Sequence, residues 1–222
     1  LTKIPKQVDQ NKFNKICELI INCKGNVVLM GIGKSGNIAA KVSSTLSSTG
    51  TSSFYLNAAE ASHGDLGSLK KNDILMIFSF SGETEEIIKI FPSCESKVKA
   101  IVSITGNEES FIAKGSYLNL HLEISEEACP LNLAPTTSSS AMLILGDALA
   151  IAILEARKFS PEDFAKNHPG GKLGKSLLKV KDLMISGNSL PITSDSAHMK
   201  DVIYEISNNC LLYTSPSPRD RE

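Results

Sequence analysis

The chain has 222 residues, 41% of them hydrophobic, with a formal net charge of −1. That supports one α/β domain of ordinary size with a substantial core, plus a remnant. Near-neutral charge, without a basic stripe interleaved with aromatics, argues against nucleic acid as a partner. The five cysteines, Cys17, Cys23, Cys94, Cys129 and Cys210, form no Cys-x-x-Cys pair. They fit a reducing cytoplasm better than a disulfide framework or a zinc site. No signal peptide is visible in a chain that starts at Leu1.

In chain order, residues 6–23 read as a leading helix with Phe13, Ile16, Cys17, Leu19 and Ile20 near one face. The apolar run Val27–Met30 is then broken by Gly31-Ile32-Gly33-Lys34-Ser35-Gly36. Ile38, Val42 and Leu46 mark the helix that follows, and Gly50 stands at its C-terminal cap. Strands are expected at Ser53–Leu56, Ile74–Phe78, Ala100–Ile104 and Tyr117–Leu122. Several of these runs are apolar throughout, as in strands covered on both faces. Such β-α alternation predicts a parallel five-stranded sheet flanked by helices. The third strand enters Ser79-Phe80-Ser81-Gly82-Glu83-Thr84, and a helix is expected from Glu85 to Glu95. Ser138–Arg157 reads as a long helix, whose apolar core Ala141–Leu154 is too short and too interrupted, by Gly146 and Asp147, to span a membrane. Ser160-Pro161-Glu162-Asp163 starts a short helix that ends at His168-Pro169-Gly170-Gly171.

The first domain is expected to cover residues 1–178. Residues 179–210, which include a helix-like Ala197–Ser207, form a unit too small to bury a core alone. Residues 211–222 resemble a translated adapter sequence and are read as a non-native tail.

Two glycine- and hydroxyl-rich loops at helix starts are the form of a phosphate cradle, because backbone amides and hydroxyls there converge on an anion. The first loop matches Gly-x-Gly-x-x-Gly, but no acid ends the second strand, where a dinucleotide site needs one, and Val28 spoils the ATP-loop pattern. Either loop alone could be an ordinary β-α turn, with Ser81 or Thr84 merely capping a helix. Lys34 is an anion-binding cation or a solvated lysine. Glu86 is a reactive acid or a complement to the helix dipole. Glu127 is a loop acid, His168 a proton carrier at an exposed bend, and His63 a fifth candidate that could equally cap a helix end.

Taken together, Gly31–Gly36, Ser79–Glu86, Glu60-Ala61-Ser62-His63-Gly64-Asp65-Leu66-Gly67, Glu127-Ala128-Cys129-Pro130-Leu131, Leu133-Ala134-Pro135-Thr136 and His168-Pro169-Gly170-Gly171 resemble the D-arabinose-5-phosphate isomerases. The resemblance implies a three-layer sugar-isomerase (SIS) domain followed by a CBS pair, here cut short within the first CBS domain. It implies interconversion of D-ribulose 5-phosphate and D-arabinose 5-phosphate, the step that feeds the lipopolysaccharide sugar Kdo. By motif it places the catalytic group on Lys34, Glu86, Glu127 and His168. Substrate contacts fall on Gly33, Ser35, Gly50, Thr51, His63, Ser79, Ser81, Gly82 and Thr84. It further implies a homotetramer whose neighbours share active sites, and chemistry that requires neither metal nor nicotinamide. Glu127 is expected to move the proton, Lys34 to stabilise the enediolate, and His168 to open the ring or protonate oxygens. Glu86 would orient Lys34 or serve as the partner acid. A histidine that the family often carries before Glu60 is Asn57 here, which puts any zinc effect in doubt. The alternatives are a non-catalytic SIS sugar-phosphate sensor and an isomerase of another sugar phosphate.

Overall fold

The computed structural model describes residues 7–168, 180–187, 190 and 192–209. Its elements are α1 (Gln10–Ile21), β1 (Val27–Gly31), α2 (Gly33–Ser48), β2 (Ser53–Asn57), α3 (Ala58–Ala61), β3 (Ile74–Phe78), α4 (Glu85–Glu95), β4 (Ala100–Thr105), α5 (Phe111–Gly115), β5 (Leu118–His121), α6 (Thr137–Ala156) and α7 (Pro161–Asn167). A smaller unit contributes α8 (Val180–Leu183) and α9 (Met199–Asn209). The two compact units are Leu1–Ser176 and Leu177–Glu222.

The five strands are all parallel, in the order β2-β1-β3-β4-β5. Apolar runs make this possible, since alternate residues of one strand feed two cores. Val27 and Leu29 of β1, with Ile74, Met76 and Phe78 of β3, pack under α1, α2 and α6. Val28, Met30, Leu75 and Ile77 pack under α3, α4 and α5. The result is the three-layer α/β architecture expected from the sequence. Because β1 leads outward to β2 while β3 leads the other way to β4, the strand order reverses between β1 and β3. A crevice opens at the carboxyl ends of such a pair.

Most element bounds match the sequence reading to within a few residues; two features depart from it. α6 has the 20-residue length expected, but its apolar character extends over an 18-residue window, beyond the Ala141–Leu154 core read as too short to span a membrane. Ala141, Met142, Leu145, Leu149, Ala150 and Ile153 nonetheless lie buried in the core. Thr84 occupies the N-cap position of α4 but makes no side-chain cap bond. Its hydroxyl pairs with that of Ser79 instead, at 2.8 Å. In the smaller unit, Val180, Met184, Ile192, Met199, Ile203 and Tyr204 are exposed. The expected bend at 169–171 and the tail at 211–222 lie outside the described residues.

Candidate active site

Both glycine loops lie at the switch between β1 and β3. The first is held by close approach: a Cβ on Gly36 would come within 2.6 Å of the Tyr55 hydroxyl. That hydroxyl donates to the Gly31 carbonyl at 2.9 Å, so strand β2 braces the turn into α2. α2 then starts at Gly33 with no capping side chain. The serine loop is pinned differently. Gly82 N–H donates to Ser79 Oγ at 3.1 Å, Glu83 N–H to Ser81 Oγ at 3.2 Å, and Gly106 N–H to the Phe80 carbonyl at 2.7 Å. Ser79 is buried, while Ser81 is exposed. Two helices therefore begin beside this crevice with no side chain capping them, the arrangement that favours an anion.

A cavity of about 330 Å³ adjoins the first loop. Lys34 and Ser35 of α2, Phe80 of the serine loop, Glu127, and Ser138 and Met142 of α6 are among its walls. That volume suits a small phosphorylated sugar. Lys34 is exposed and has no hydrogen-bond or ion-pair partner among the described residues. Ser35 Oγ points towards Met142 Sδ, 3.9 Å away. Glu86, in the first turn of α4, is also exposed and without such a partner among the described residues.

Glu127 is different. Its Oε2 accepts from Thr136 N–H at 2.7 Å, Thr136 Oγ1 at 3.2 Å and Ser138 N–H at 3.2 Å, and its Oε1 accepts from Ser138 Oγ. The carboxylate thus caps α6 from a distant loop. The loop is shaped to deliver it: Asn132, at φ +53°, takes the Glu127 N–H on its side chain at 2.6 Å. Burial pushes the carboxyl up, but the donors from Ser138 and Thr136 outweigh it and hold it at about 2, against an ordinary 4.5. A general base works best near the ambient pH. Glu127 as placed is a fixed anion, which argues against the expectation that it carries the proton.

The other expected residues lie elsewhere. His63 follows α3 at the carboxyl end of β2, exposed, on the same end of the sheet as the loops. His168 caps the C-terminus of α7, stacked on Phe164 at 3.9 Å, with Nδ1 donating to the Phe164 carbonyl at 2.9 Å. That bond leaves Nε2 as the basic nitrogen of the neutral ring. Asn167 donates to the carbonyl of Ser48, so α7 ends beside the C-terminus of α2. Gly50 and Thr51 are at that end too, Thr51 buried with Oγ1 unpartnered among the described residues. A helix of 16 residues spans about 24 Å. Within one chain, Lys34, Ser35 and Glu127 come together, whereas His168, Gly50 and Thr51 lie at the opposite end of α2.

Thr136, Ser138, Asn132 and Tyr55 were not singled out from the sequence as part of the site. Ser138 was read as the start of the long helix and Thr136 as part of a motif, but nothing local to Pro135-Thr136-Thr137-Ser138 shows that a carboxylate nine to eleven residues away accepts from both. No cluster of three or more metal-binding side chains occurs among the described residues.

With this geometry in hand, comparison with known proteins gives three kinds of likeness. A family model described as "SIS domain" matches residues 19–152. Arabinose 5-phosphate isomerase KpsF of Escherichia coli CFT073 is 46% identical over 211 residues, covering 95% of this chain and 64% of that protein. Arabinose 5-phosphate isomerase KdsD of Pseudomonas aeruginosa is 52% identical over 180 residues, covering 81% of this chain and 55% of its own length. The chain thus spans between about half and two thirds of these relatives. A solved E. coli CFT073 protein in complex with A5P superposes with a TM-score of 0.72 at 38% identity, covering 76% of this chain and 90% of that one.

Proposed function

The chain belongs to the SIS domain family, and on that premise we propose that it interconverts D-ribulose 5-phosphate and D-arabinose 5-phosphate. The observation that carries the reading is the pairing, at one sheet switch point, of two uncapped helix starts with an unpartnered Lys34 beside a sugar-sized cavity. The names of the 46% and 52% identical relatives support the substrate, as does the A5P-bound neighbour. In this reading the hydroxyls of Ser35, Ser79, Ser81 and Thr84, with the loop amides, hold the phosphate. Holding it aligns the reacting carbons before the chemistry starts.

A base takes the C1 proton of the ketose, and the electron pair of that bond forms an enediolate. The proton returns to C2, and the O1 proton passes to O2. Lys34 stabilises the oxyanion as it develops. Glu86, a carboxylate without competing donors among the described residues, is better suited than Glu127 to the carbon-to-carbon transfer. Nε2 of His168 moves protons among the oxygens or opens the ring. His168, Gly50 and Thr51 are supplied by a neighbouring copy in a homotetramer, which accounts for their place at the far end of α2. The pathway proposed is the opening step of Kdo synthesis in the cytoplasm. A CBS pair completed beyond residue 210 would flank the isomerase domain.

Proton NMR in D2O tests the proposal, with D-ribulose 5-phosphate beside hexulose and heptulose phosphates. Formation of D-arabinose 5-phosphate carrying deuterium at C2, abolished by Glu86→Gln and His168→Ala, is the expected outcome. Turnover of a different sugar phosphate would replace the substrate and keep the chemistry. Binding without turnover by a folded protein would sink the enzymatic reading.

A further inference from the structure

We infer that Thr136 and Ser138 are positioning residues that hold Glu127 as a locked anion across the start of α6, in the same cavity as Lys34. This inference rests on the isomerase reading only for its consequence in turnover; the clamp itself stands on the geometry. Three features carry it.

First, the contacts are numerous and two-sided. Thr136 gives Glu127 a backbone and a hydroxyl donor, and Ser138 gives it the same pair. Three donors meet on Oε2 and one on Oε1, so both oxygens are fixed and the plane of the carboxylate is set. Second, Ser138 is only 1% exposed, so water cannot replace its hydroxyl cheaply. Third, α6 has no cap of its own: Thr136 holds the N-cap position at φ −126°, ψ −63°, and its side chain makes no bond to the amides of the helix. Glu127 does that work from nine to eleven residues away, and the cost of freeing it includes the unpaired amides left behind.

The charged and titratable groups around Glu127 do not offer an alternative explanation. Lys34 from α2 and Glu126 from the same loop share the cavity wall, and Cys129 lies two residues on, its N–H bonded to Thr136 Oγ1 at 3.3 Å. None of them is a hydrogen-bond partner of the Glu127 carboxylate. Of the three helices that begin around this site, α2 and α4 start open, and α6 starts already neutralised by the protein's own carboxylate. A substrate anion is thereby directed to the first two and kept from the third. The locked charge also presents a negative wall in the cavity that Lys34 shares, where it favours substrate hydroxyls over a second anionic group.

Carbon-13 NMR titration of the glutamate carboxyls tests the clamp without any substrate. Glu127→Gln assigns the resonance. In the wild type, Glu127 should show no midpoint above pH 4. In Ser138→Ala and in Thr136→Val the midpoint should rise by about one pH unit, a tenfold change in proton affinity. Two variants are used because Ser138 is buried, and circular dichroism identifies whichever of them keeps the fold. A wild-type midpoint near the ordinary glutamate value, or an unmoved midpoint in a folded variant, would overturn the inference. In turnover, the clamp predicts a higher KM for the sugar phosphate in the folded variants, with little change in kcat. A KM that stays put while the midpoint moves would confine Thr136 and Ser138 to capping and overturn their positioning role. A protein that shows the titration but turns over no sugar phosphate fails the isomerase proposal and leaves the clamp standing.

Discussion

Glu127 gives this protein a pH signature that can be read from stability alone. Its folded carboxyl is held at about 2, below the 4.5 of an unperturbed glutamate. A group whose folded value is depressed contributes stability that is fully present above the unfolded value and is lost as pH falls towards the folded one. The Tm gap between the wild type and Glu127→Gln should therefore be constant above about pH 5 and shrink between about pH 4.5 and 2. Thermal scans across that range check it; a gap independent of pH would mean that the charge is not what caps α6. Lys34 behaves in the opposite way. Exposed and without a partner among the described residues, it holds none of them in place. Lys34→Met should leave the unfolding free energy within about 0.5 kcal/mol of the wild type while removing most of kcat, which separates charge used for chemistry from charge used for folding.

At the scale of elements, legibility followed the range of the interactions involved. Strands β1 and β3 are unbroken apolar runs that both cores require, so Val27–Met30 and Ile74–Phe78 could be read directly. The start of α7 was equally plain, because Ser160 and Asp163 form a capping box within four residues. Thr84 misled, since its hydroxyl had a nearer partner in Ser79 than the helix it was expected to cap. Glu127 could be read as a candidate from its loop, and it does line the cavity, but its hydrogen-bonded state could not, because its donors arrive from a loop closed by Asn132 and Thr136. The serine loop makes a further prediction. Gly82 has φ +66°, and an added Cβ would strike the side chain of Ser110, which is fully buried. Gly82→Ala should cost about 1–3 kcal/mol and weaken phosphate binding, measured by denaturant melts and by inorganic phosphate titration. Unchanged values in both would show that the loop can re-form around the methyl group.

Over the whole molecule, the separation of Lys34 from His168 by the length of α2 could not be seen in the sequence. Motif order says nothing about which end of a helix each motif meets, and under the proposed sharing the family pattern would merge residues from different copies into one list. The proposed sharing of sites can be tested by complementation. Lys34→Met and His168→Ala chains, each inactive alone, should recover activity when co-expressed, because mixed assemblies contain some sites with both groups intact. No recovery from demonstrably mixed assemblies would place the whole site within one chain.

The all-parallel sheet carries a different consequence, for the birth of the protein. Val27 pairs with Ser53 on one side and with Ile74 on the other, and no neighbouring strands are joined by a hairpin. β1 therefore waits with one apolar edge unpaired until the ribosome has delivered the chain past β3. Contacts this distant in sequence slow folding. Refolding yield should thus fall as concentration rises, with early collapse exposing the same strands that later line the active-site crevice.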